Sequence, residues 1–193
     1  MARLMIVYGT TEGHTRRVAE RIAAAARAHG HAADVLDGSS HPASAGPDEY
    51  DGVVVAASLH YGRHQPGVVR FVRENLHALE ELPTALFSVS LSAARRDPEH
   101  RAAARRCVND FLDETGWRPD RTFLVAGALA YSRYGFVKRQ VMRWISWREG
   151  GDTDTSRDYE YTDWEGLRSD VDDYLRVVAR LPADAAPSAP RPG

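Results

Sequence analysis

The 193-residue sequence predicts an α/β fold: a five-stranded parallel sheet, doubly wound, with helices on both faces. Apolar runs of strand length alternate along the chain with helical patterns of ten or more residues, which is typical of parallel strands joined by crossovers. Four of the five runs are continuously apolar, as in strands covered on both faces. In such sheets ligands bind beyond the carboxyl ends of the strands, so the loops found there are the candidate site.

The first strand is predicted at residues 4–8 and leads through a small, hydroxylated loop into a helix with Val18 and Ile22 on one face. Because the first turn of a helix leaves backbone N–H groups unpaired, this arrangement predicts a phosphate site. The residues of this loop are Thr10, Thr11, Glu12, Gly13, His14 and Thr15. We expect His14 either to hydrogen-bond the phosphate or to be a solvated loop histidine.

The loop differs from two common phosphate-binding motifs. No lysine follows Gly13, as a P-loop requires, and the G-x-G-x-x-G spacing of a dinucleotide fingerprint is missing. The alternative to a phosphate site is an ordinary strand–turn–helix with threonine capping.

The remaining elements continue the alternation of strands and helices. Further strands are predicted over residues 32–36, 53–58, 82–91 and 122–129. Further helices are predicted over residues 66–79 and 99–115, and a last helix is capped by Thr162 or Asp163. Its buried stripe is predicted to be Leu167, Val171, Tyr174, Leu175 and Val178.

Two more loops are predicted to meet the phosphate loop at one edge of the sheet. They cover residues 58–64 and 90–92, and both are rich in small and hydroxylated residues. Tyr61 offers an aromatic face to a bound ring system, and the alternative is an ordinary surface aromatic.

Composition excludes several classes of function. The formal charge is −2, from 25 basic and 27 acidic residues, which argues against nucleic acid as a partner. Cys107 is the single cysteine, so neither a disulfide framework nor a cysteine metal site is expected. His60 and His64 are separated by Gly62 in a loop, which does not favour a metal site. With neither a signal peptide nor a spanning helix predicted, we expect a cytoplasmic protein.

Residues 131–162 are predicted to be a basic and aromatic insertion after strand five. The stretch 131–148 contains five basic residues and no acidic residue. A helix here is expected to lie in a membrane interface, to close over an anionic apolar ligand, or to pack on the domain with its arginines solvated. The folded domain is assigned to residues 1–181, and the Pro/Ala-rich residues 182–193 are expected to be disordered.

Seven motifs together resemble one family. They are TTEGHT (10–15), ASLHYG (57–62), FSVSL (87–91), WRPDR (117–121), AGAL (126–129), GGDTDT (150–155) and YTDW (161–164). With these motifs, the chain resembles the flavodoxin-like, menaquinone-dependent protoporphyrinogen IX dehydrogenase family over about residues 3 to 180.

This resemblance implies a flavodoxin-like sheet with an insertion after strand five, bound FMN, and electron transfer from a porphyrinogen to a quinone in haem biosynthesis. It also implies peripheral contact with the cytoplasmic face of the inner membrane, which we assign to residues 131–148. Residues 10–15 would hold the phosphate. The isoalloxazine would be bordered by Ser58, Leu59, His60, Tyr61, Gly62, Ser88, Val89, Ser90 and Leu91. The site would be closed by Gly151, Thr153, Asp154 and Thr155.

No catalytic side chain is predicted, since a flavin carries the redox chemistry itself. We expect Arg133, Arg139 and Arg143 to bind the carboxylates of the porphyrinogen, because a guanidinium group binds a carboxylate bidentately. Two other functions stay open: a flavin-dependent NAD(P)H:quinone reductase, and a flavodoxin-type electron carrier. A carrier requires an acidic docking surface, and the basic insertion argues against one.

Overall fold

A parallel sheet of five strands forms the centre of the computed structural model, which describes residues 1–40, 46–94, 97–129 and 159–180. In chain order its five strands and one short antiparallel strand, β4, are β1 (Arg3–Gly9), β2 (Ala32–Asp37), β3 (Gly52–His60), β4 (Arg63–His64), β5 (Thr84–Ser90) and β6 (Arg121–Ala126). The parallel strands lie in the order β2-β1-β3-β5-β6, and the two-residue β4 pairs antiparallel with the end of β3. The predicted five-stranded parallel sheet is confirmed.

Helices cover both faces of this sheet. They are α1 (His14–Ala28), α2 (Pro66–Glu74), α3 (Leu76–Glu81), α4 (Pro98–Thr115) and α5 (Trp164–Val178). Buried residues of α1 and α5 pack on one face, and those of α2, α3 and α4 pack on the other. The doubly wound arrangement predicted from the alternation of elements is therefore confirmed.

Strand β1 shows why its apolar run is continuous. Its Leu4 and Ile6 side chains lie in the core beneath α1 and α5, whereas Met5 and Val7 lie in the core beneath α2 and α4. Because successive side chains of a strand point to opposite faces, a strand between two cores has no position for a polar residue.

The helix predicted over residues 66–79 is interrupted. Asn75 leaves the helical conformation with ψ of 17°, and its Nδ2 donates a hydrogen bond of 2.8 Å to the carbonyl oxygen of Phe71. An asparagine side chain that occupies a backbone carbonyl in this way favours a break, and α3 begins at the next residue.

Two predicted strands are longer than the observed ones. The fourth begins at Thr84 because Pro83 has no N–H to donate, although the Pro83 carbonyl still accepts from the N–H of Val53 at 2.9 Å. The fifth, predicted over 122–129, ends at Ala126. A separate ladder follows, in which β7 (Ala128–Leu129) pairs antiparallel with β8 (Tyr159–Glu160).

The last helix agrees with its prediction. The Asp163 carboxylate caps it by accepting from the N–H of Gly166 at 2.9 Å, which decides between the two predicted caps. All five residues of the predicted stripe are buried.

Several predictions fall outside the described residues: the insertion up to residue 158, Arg133, Arg139, Arg143, Gly151, Thr153, Asp154, Thr155 and the tail at 182–193. Within the described ranges, no helix is long and apolar enough to cross a membrane.

Candidate functional site

A cleft of about 290 Å³ lies at the carboxyl ends of β1, β3 and β5. It is lined by Thr10, Thr11, Glu12, His14, Thr15, Ser58, Leu59, His60, Tyr61, Val89, Ser90, Leu91, Gly127 and Ala128. The structure thus brings together twelve of the residues predicted for the site. Of the predicted residues it describes, Gly13, Gly62 and Ser88 do not line the cleft.

A hydrogen bond between Thr10 and Gly13 closes the loop between β1 and α1. Thr10 Oγ1 accepts a hydrogen bond of 2.8 Å from the N–H of Gly13. Gly13 itself has φ of 85°, a left-handed conformation that favours glycine. Its contribution is therefore the turn into α1, which starts at the next residue.

Thr15 supplies a buried hydroxyl that lacks a partner. Its side chain is 1% exposed, and its Oγ1 makes no hydrogen bond within the described part of the chain. The helix that carries it has neither a side-chain cap nor an acidic residue in its first turn. Since an unpaired buried hydroxyl is costly and a helix N-terminus attracts negative charge, this corner of the cleft suits an anion with several oxygens.

His14 is half-buried and takes part in a chain of hydrogen bonds. Its Nε2 lies 2.8 Å from Thr162 Oγ1, and this hydroxyl donates to the carbonyl oxygen of Ala126 at 2.7 Å. A hydroxyl has one proton, so Thr162 must accept from His14, whose Nε2 therefore carries a hydrogen. The half-buried imidazole is thus not a solvated loop histidine, since it links the start of α1 to Thr162, which precedes α5, and through this hydroxyl to the end of β6.

The pKa of His14 reflects this position. Burial lowers it below its ordinary value, the nearby Glu160 carboxylate raises it, and the Arg17 guanidinium lowers it. Glu160 and Arg17 form an ion pair of 3.2 Å with each other, so their effects on the imidazole partly offset. The neutral imidazole is thus favoured at neutral pH.

The segment predicted as a loop over residues 58–64 is a β-hairpin, which corrects that prediction. Strand β3 continues to His60, and Tyr61 and Gly62 form the two-residue turn with φ of 51° and 77°. Positive φ at both central residues is the geometry of the tight type I′ hairpin, whose twist matches that of the strands. Gly62 therefore shapes the turn without lining the cleft.

Tyr61 projects from this turn at the mouth of the cleft. Its side chain is 90% exposed, and its ring contacts the His60 ring edge-on with 4.4 Å between centroids. An exposed tyrosine in the left-handed region carries conformational strain without any gain from burial. Such strain is typical of a residue kept for function.

Gln65 is a site residue that the sequence analysis missed. Its Nε2 donates to Ser58 Oγ at 2.6 Å and lies 3.3 Å from Thr11 Oγ1, so it joins the hairpin to the phosphate loop. The one available signal was its place directly before Pro66. A proline at the start of a helix favours an extended conformation in the residue before it, so Gln65 is expected to lie outside the helix.

Ser88 lies behind the cleft. It is fully buried in β5, and its Oγ lies 3.1 Å from His64 Nε2 on the side of the sheet where the imidazole packs against Phe111. Burial lowers the pKa of His64 to about 4, so this imidazole is neutral. The contact between His64 and Ser88 thus joins β4 of the hairpin to β5.

Gly127 and Ala128 were not predicted for the site. The Gly127 N–H donates to the carbonyl of Ser90 at 3.0 Å, and its own carbonyl accepts from the N–H of Tyr161 at 3.2 Å. These bonds bring the chain that follows β6 against the end of β5, where it forms one wall of the cleft.

Comparisons with known proteins find a matching family model and similar proteins. Residues 5–156 match a family model described as a flavodoxin domain. The chain is 34% identical over 183 residues to protoporphyrinogen IX dehydrogenase (quinone) of Escherichia coli K12, covering 93% of this chain and 96% of that protein. It is 29% identical over 184 residues to the protein of the same name from Leishmania major, covering 93% and 78%.

Solved structures agree on the fold. Oxidised flavodoxin 1 from Bacillus cereus superposes with a TM-score of 0.53 at 16% identity, covering 93% of this chain and 99% of that one. A short-chain flavodoxin associated with a bacterial microcompartment gives 0.55 at 12% identity, covering 92% and 99%.

Proposed function

This chain belongs to the flavodoxin-domain family and, within it, to the protoporphyrinogen IX dehydrogenases (quinone); from this membership we propose that it is an FMN-dependent enzyme of haem biosynthesis. The reaction is oxidation of protoporphyrinogen IX to protoporphyrin IX, with a quinone as the electron acceptor. The proposal is supported by the 34% identity to the Escherichia coli protein over 96% of its length, and by the cleft at the strand ends.

The residues of the phosphate corner fit FMN. The unpartnered Thr15 Oγ1 and the uncapped first turn of α1 are donors that await an anion. Thr10 Oγ1 already accepts from Gly13 and so keeps its own hydrogen for donation. We assign the FMN phosphate to Thr10–Thr15 on the unpaired Thr15 hydroxyl, which is the observation that carries the proposal.

The other walls fit a flat ring. The end of β3, the end of β5 and the Gly127–Ala128 segment enclose the cleft on three sides, and its lining there is a mixture of backbone and apolar groups such as Leu59 and Val89. FMN supplies the transfer of electrons between donor and acceptor when bound. The protein's task is to bind this ring, to orient it and to exclude water from one of its faces.

We further propose that residues beyond the described ranges handle the two substrates. Arg133, Arg139 and Arg143 supply guanidinium groups for the porphyrinogen carboxylates. Peripheral contact of the basic stretch 131–148 with the cytoplasmic face of the membrane gives access to a lipid-soluble quinone. Sedimentation with anionic vesicles, and its loss at high salt, tests the membrane contact.

The function is tested with the purified protein. We expect a yellow protein whose spectrum bleaches on anaerobic addition of protoporphyrinogen IX and which forms fluorescent porphyrin when a menaquinone analogue is present. A yellow protein that ignores porphyrinogen but is reduced by NAD(P)H would make it a quinone reductase. A colourless protein that cannot be reconstituted with FMN would overturn the cofactor assignment.

A further inference from the structure

His14 occupies the same helical turn that receives the phosphate in the proposed function. It is the first residue of α1, it lines the cleft, and the next residue is Thr15 with its unpartnered hydroxyl. A histidine in this place is able to add a positive charge to an anion site. The inference rests on the FMN assignment and concerns what this imidazole does when the phosphate arrives.

The hydrogen-bond chain determines which nitrogen accepts the additional proton. The Thr162 hydroxyl donates its one hydrogen to the Ala126 carbonyl. It can therefore only accept from His14, which donates through Nε2. In the neutral ring Nδ1 is then the basic nitrogen. Protonation at Nδ1 leaves the His14–Thr162 and Thr162–Ala126 hydrogen bonds intact, so neither bond is lost when the charge appears.

Burial holds the ring neutral in the absence of a ligand, because the two charged groups that act on its pKa do so in opposite directions. Arg17 on α1 opposes the charged form, and Glu160 on β8 favours it while pairing with Arg17. The Asp163 carboxylate is engaged as the cap of α5, and Glu12 also lines the cleft. The positive end of the α1 dipole also disfavours an imidazolium at this turn.

A phosphate monoester reverses this balance. It carries nearly two negative charges at neutral pH, and it would occupy the turn where His14 and Thr15 begin the helix. Opposite charge within a few ångströms favours the protonated imidazole over the neutral one. By linkage, a ligand that raises the proton affinity of a group binds more tightly as the pH falls.

We propose that His14 takes up a proton when the phosphate of FMN binds, so that the affinity for FMN rises as the pH falls while the affinity for riboflavin does not. His14 is thus a device by which the site recognises the phosphorylated flavin. Glutamine at this position keeps an N–H for Thr162 but has no titration near neutral pH.

The affinity is measured by quenching of flavin fluorescence on titration into the apoprotein. Between about pH 8 and about pH 6.5, where the FMN phosphate stays mostly dianionic, we expect the Kd to fall by about fivefold for the natural chain, within the tenfold per pH unit that one proton allows. We expect a flat profile for His14→Gln. His29→Gln, at the far end of the same helix, is the matched control and keeps the slope.

A second measurement needs no variant. Calorimetric titration of the apoprotein with FMN near pH 7, in two buffers of different ionisation enthalpy, is expected to show net proton uptake. Release or no exchange of protons would overturn the inference, as would equal slopes for the natural chain and His14→Gln. In both of those cases FMN still binds, so the cofactor assignment stands. Absence of FMN binding at every pH would overturn both proposals.

Discussion

Gln65 Nε2 donates a hydrogen bond of 2.6 Å to Ser58 Oγ, and the same amide group reaches Thr11 Oγ1 at 3.3 Å. One side chain thus fixes the spacing between two walls of the cleft that are far apart in sequence. Within the described residues no backbone ladder joins Thr11 to Ser58, because Thr11 lies beyond the end of β1.

Replacing Gln65 by alanine is expected to weaken FMN binding by about fivefold, since a hydrogen bond of this kind contributes about 1 kcal/mol. Gln65→Glu is expected to weaken it further, because the carboxylate brings negative charge towards the phosphate loop. Flavin fluorescence titration measures both values. Unchanged affinity in both variants would contradict a role for Gln65 in spacing the walls.

Thr15→Val tests the unpartnered hydroxyl in two directions. We expect the apoprotein to unfold at the same or a higher temperature, because the change removes a buried group that has no partner. The affinity for FMN is expected to fall by about tenfold, whereas Thr15→Ser retains it. Loss of apoprotein stability with unchanged FMN affinity would show that the hydroxyl serves the fold and not the ligand.

His64 makes the stability of the fold depend on pH. Its folded-state pKa, about 4, lies below its ordinary value of 6.5, so the unfolded chain binds more protons in that interval. The contribution is complete above about pH 6.5 and is lost as the pH falls towards 4, with a magnitude of up to about 3 kcal/mol. Urea unfolding at several pH values measures it.

The matched variants for this effect are His64→Leu and His77→Gln. The first is expected to flatten the acid side of the stability profile, and the second, at an exposed position on α3, is expected to leave it unchanged. A profile for His64→Leu that parallels the natural one would place the acid sensitivity in other groups.

The variant Tyr61→Asn distinguishes between the two predicted roles of Tyr61, an aromatic face for a bound ring system and an ordinary surface aromatic. Asparagine tolerates positive φ better than tyrosine, so the variant is expected to gain up to about 1 kcal/mol in unfolding free energy. If the ring contacts substrate or flavin, turnover of porphyrinogen falls, while Tyr61→Phe keeps it. A stabilised variant with natural turnover would make Tyr61 an ordinary surface aromatic.

Replacing Arg133, Arg139 and Arg143 together by glutamine is expected to raise the KM for protoporphyrinogen IX by about tenfold or more, since each charged hydrogen bond contributes 1.5–3 kcal/mol as an order of magnitude. FMN affinity is expected to stay the same. The exposed pair Arg105 and Arg106 on α4, changed to glutamine, serves as the control. Unchanged KM and turnover in the triple variant would refute this substrate assignment.

The sheet and the position of the cleft were open to prediction because each depends on short-range patterns. A strand between two cores must be continuously apolar, so the apolar run Leu4–Tyr8 predicts a strand. The buried stripe of α5 must repeat at helical spacing, so the pattern over Leu167–Val178 predicts a helix. The edge where ligands bind then follows from the direction of parallel strands.

The hairpin and the supporting contacts were not open to prediction in this way. A Tyr-Gly pair is a weaker signal for a two-residue turn than Asn-Gly, which hid the turn at Tyr61. The contacts of His14 with Thr162, and of His64 with Ser88, join residues 148 and 24 positions apart. Such pairs depend on tertiary packing, and no local pattern in the sequence records them.

The short ladder between β7 and β8 has an evolutionary consequence. It sets Leu129 opposite Tyr159, so the residues that precede and follow positions 130–158 lie side by side, next to the Gly127 wall of the cleft. A segment attached at two adjacent points can change its length or composition without shifting the register of the main sheet. On the proposal that residues 131–148 handle the substrates, substrate preference can diverge through changes in this stretch while the sheet and the phosphate loop are inherited unchanged.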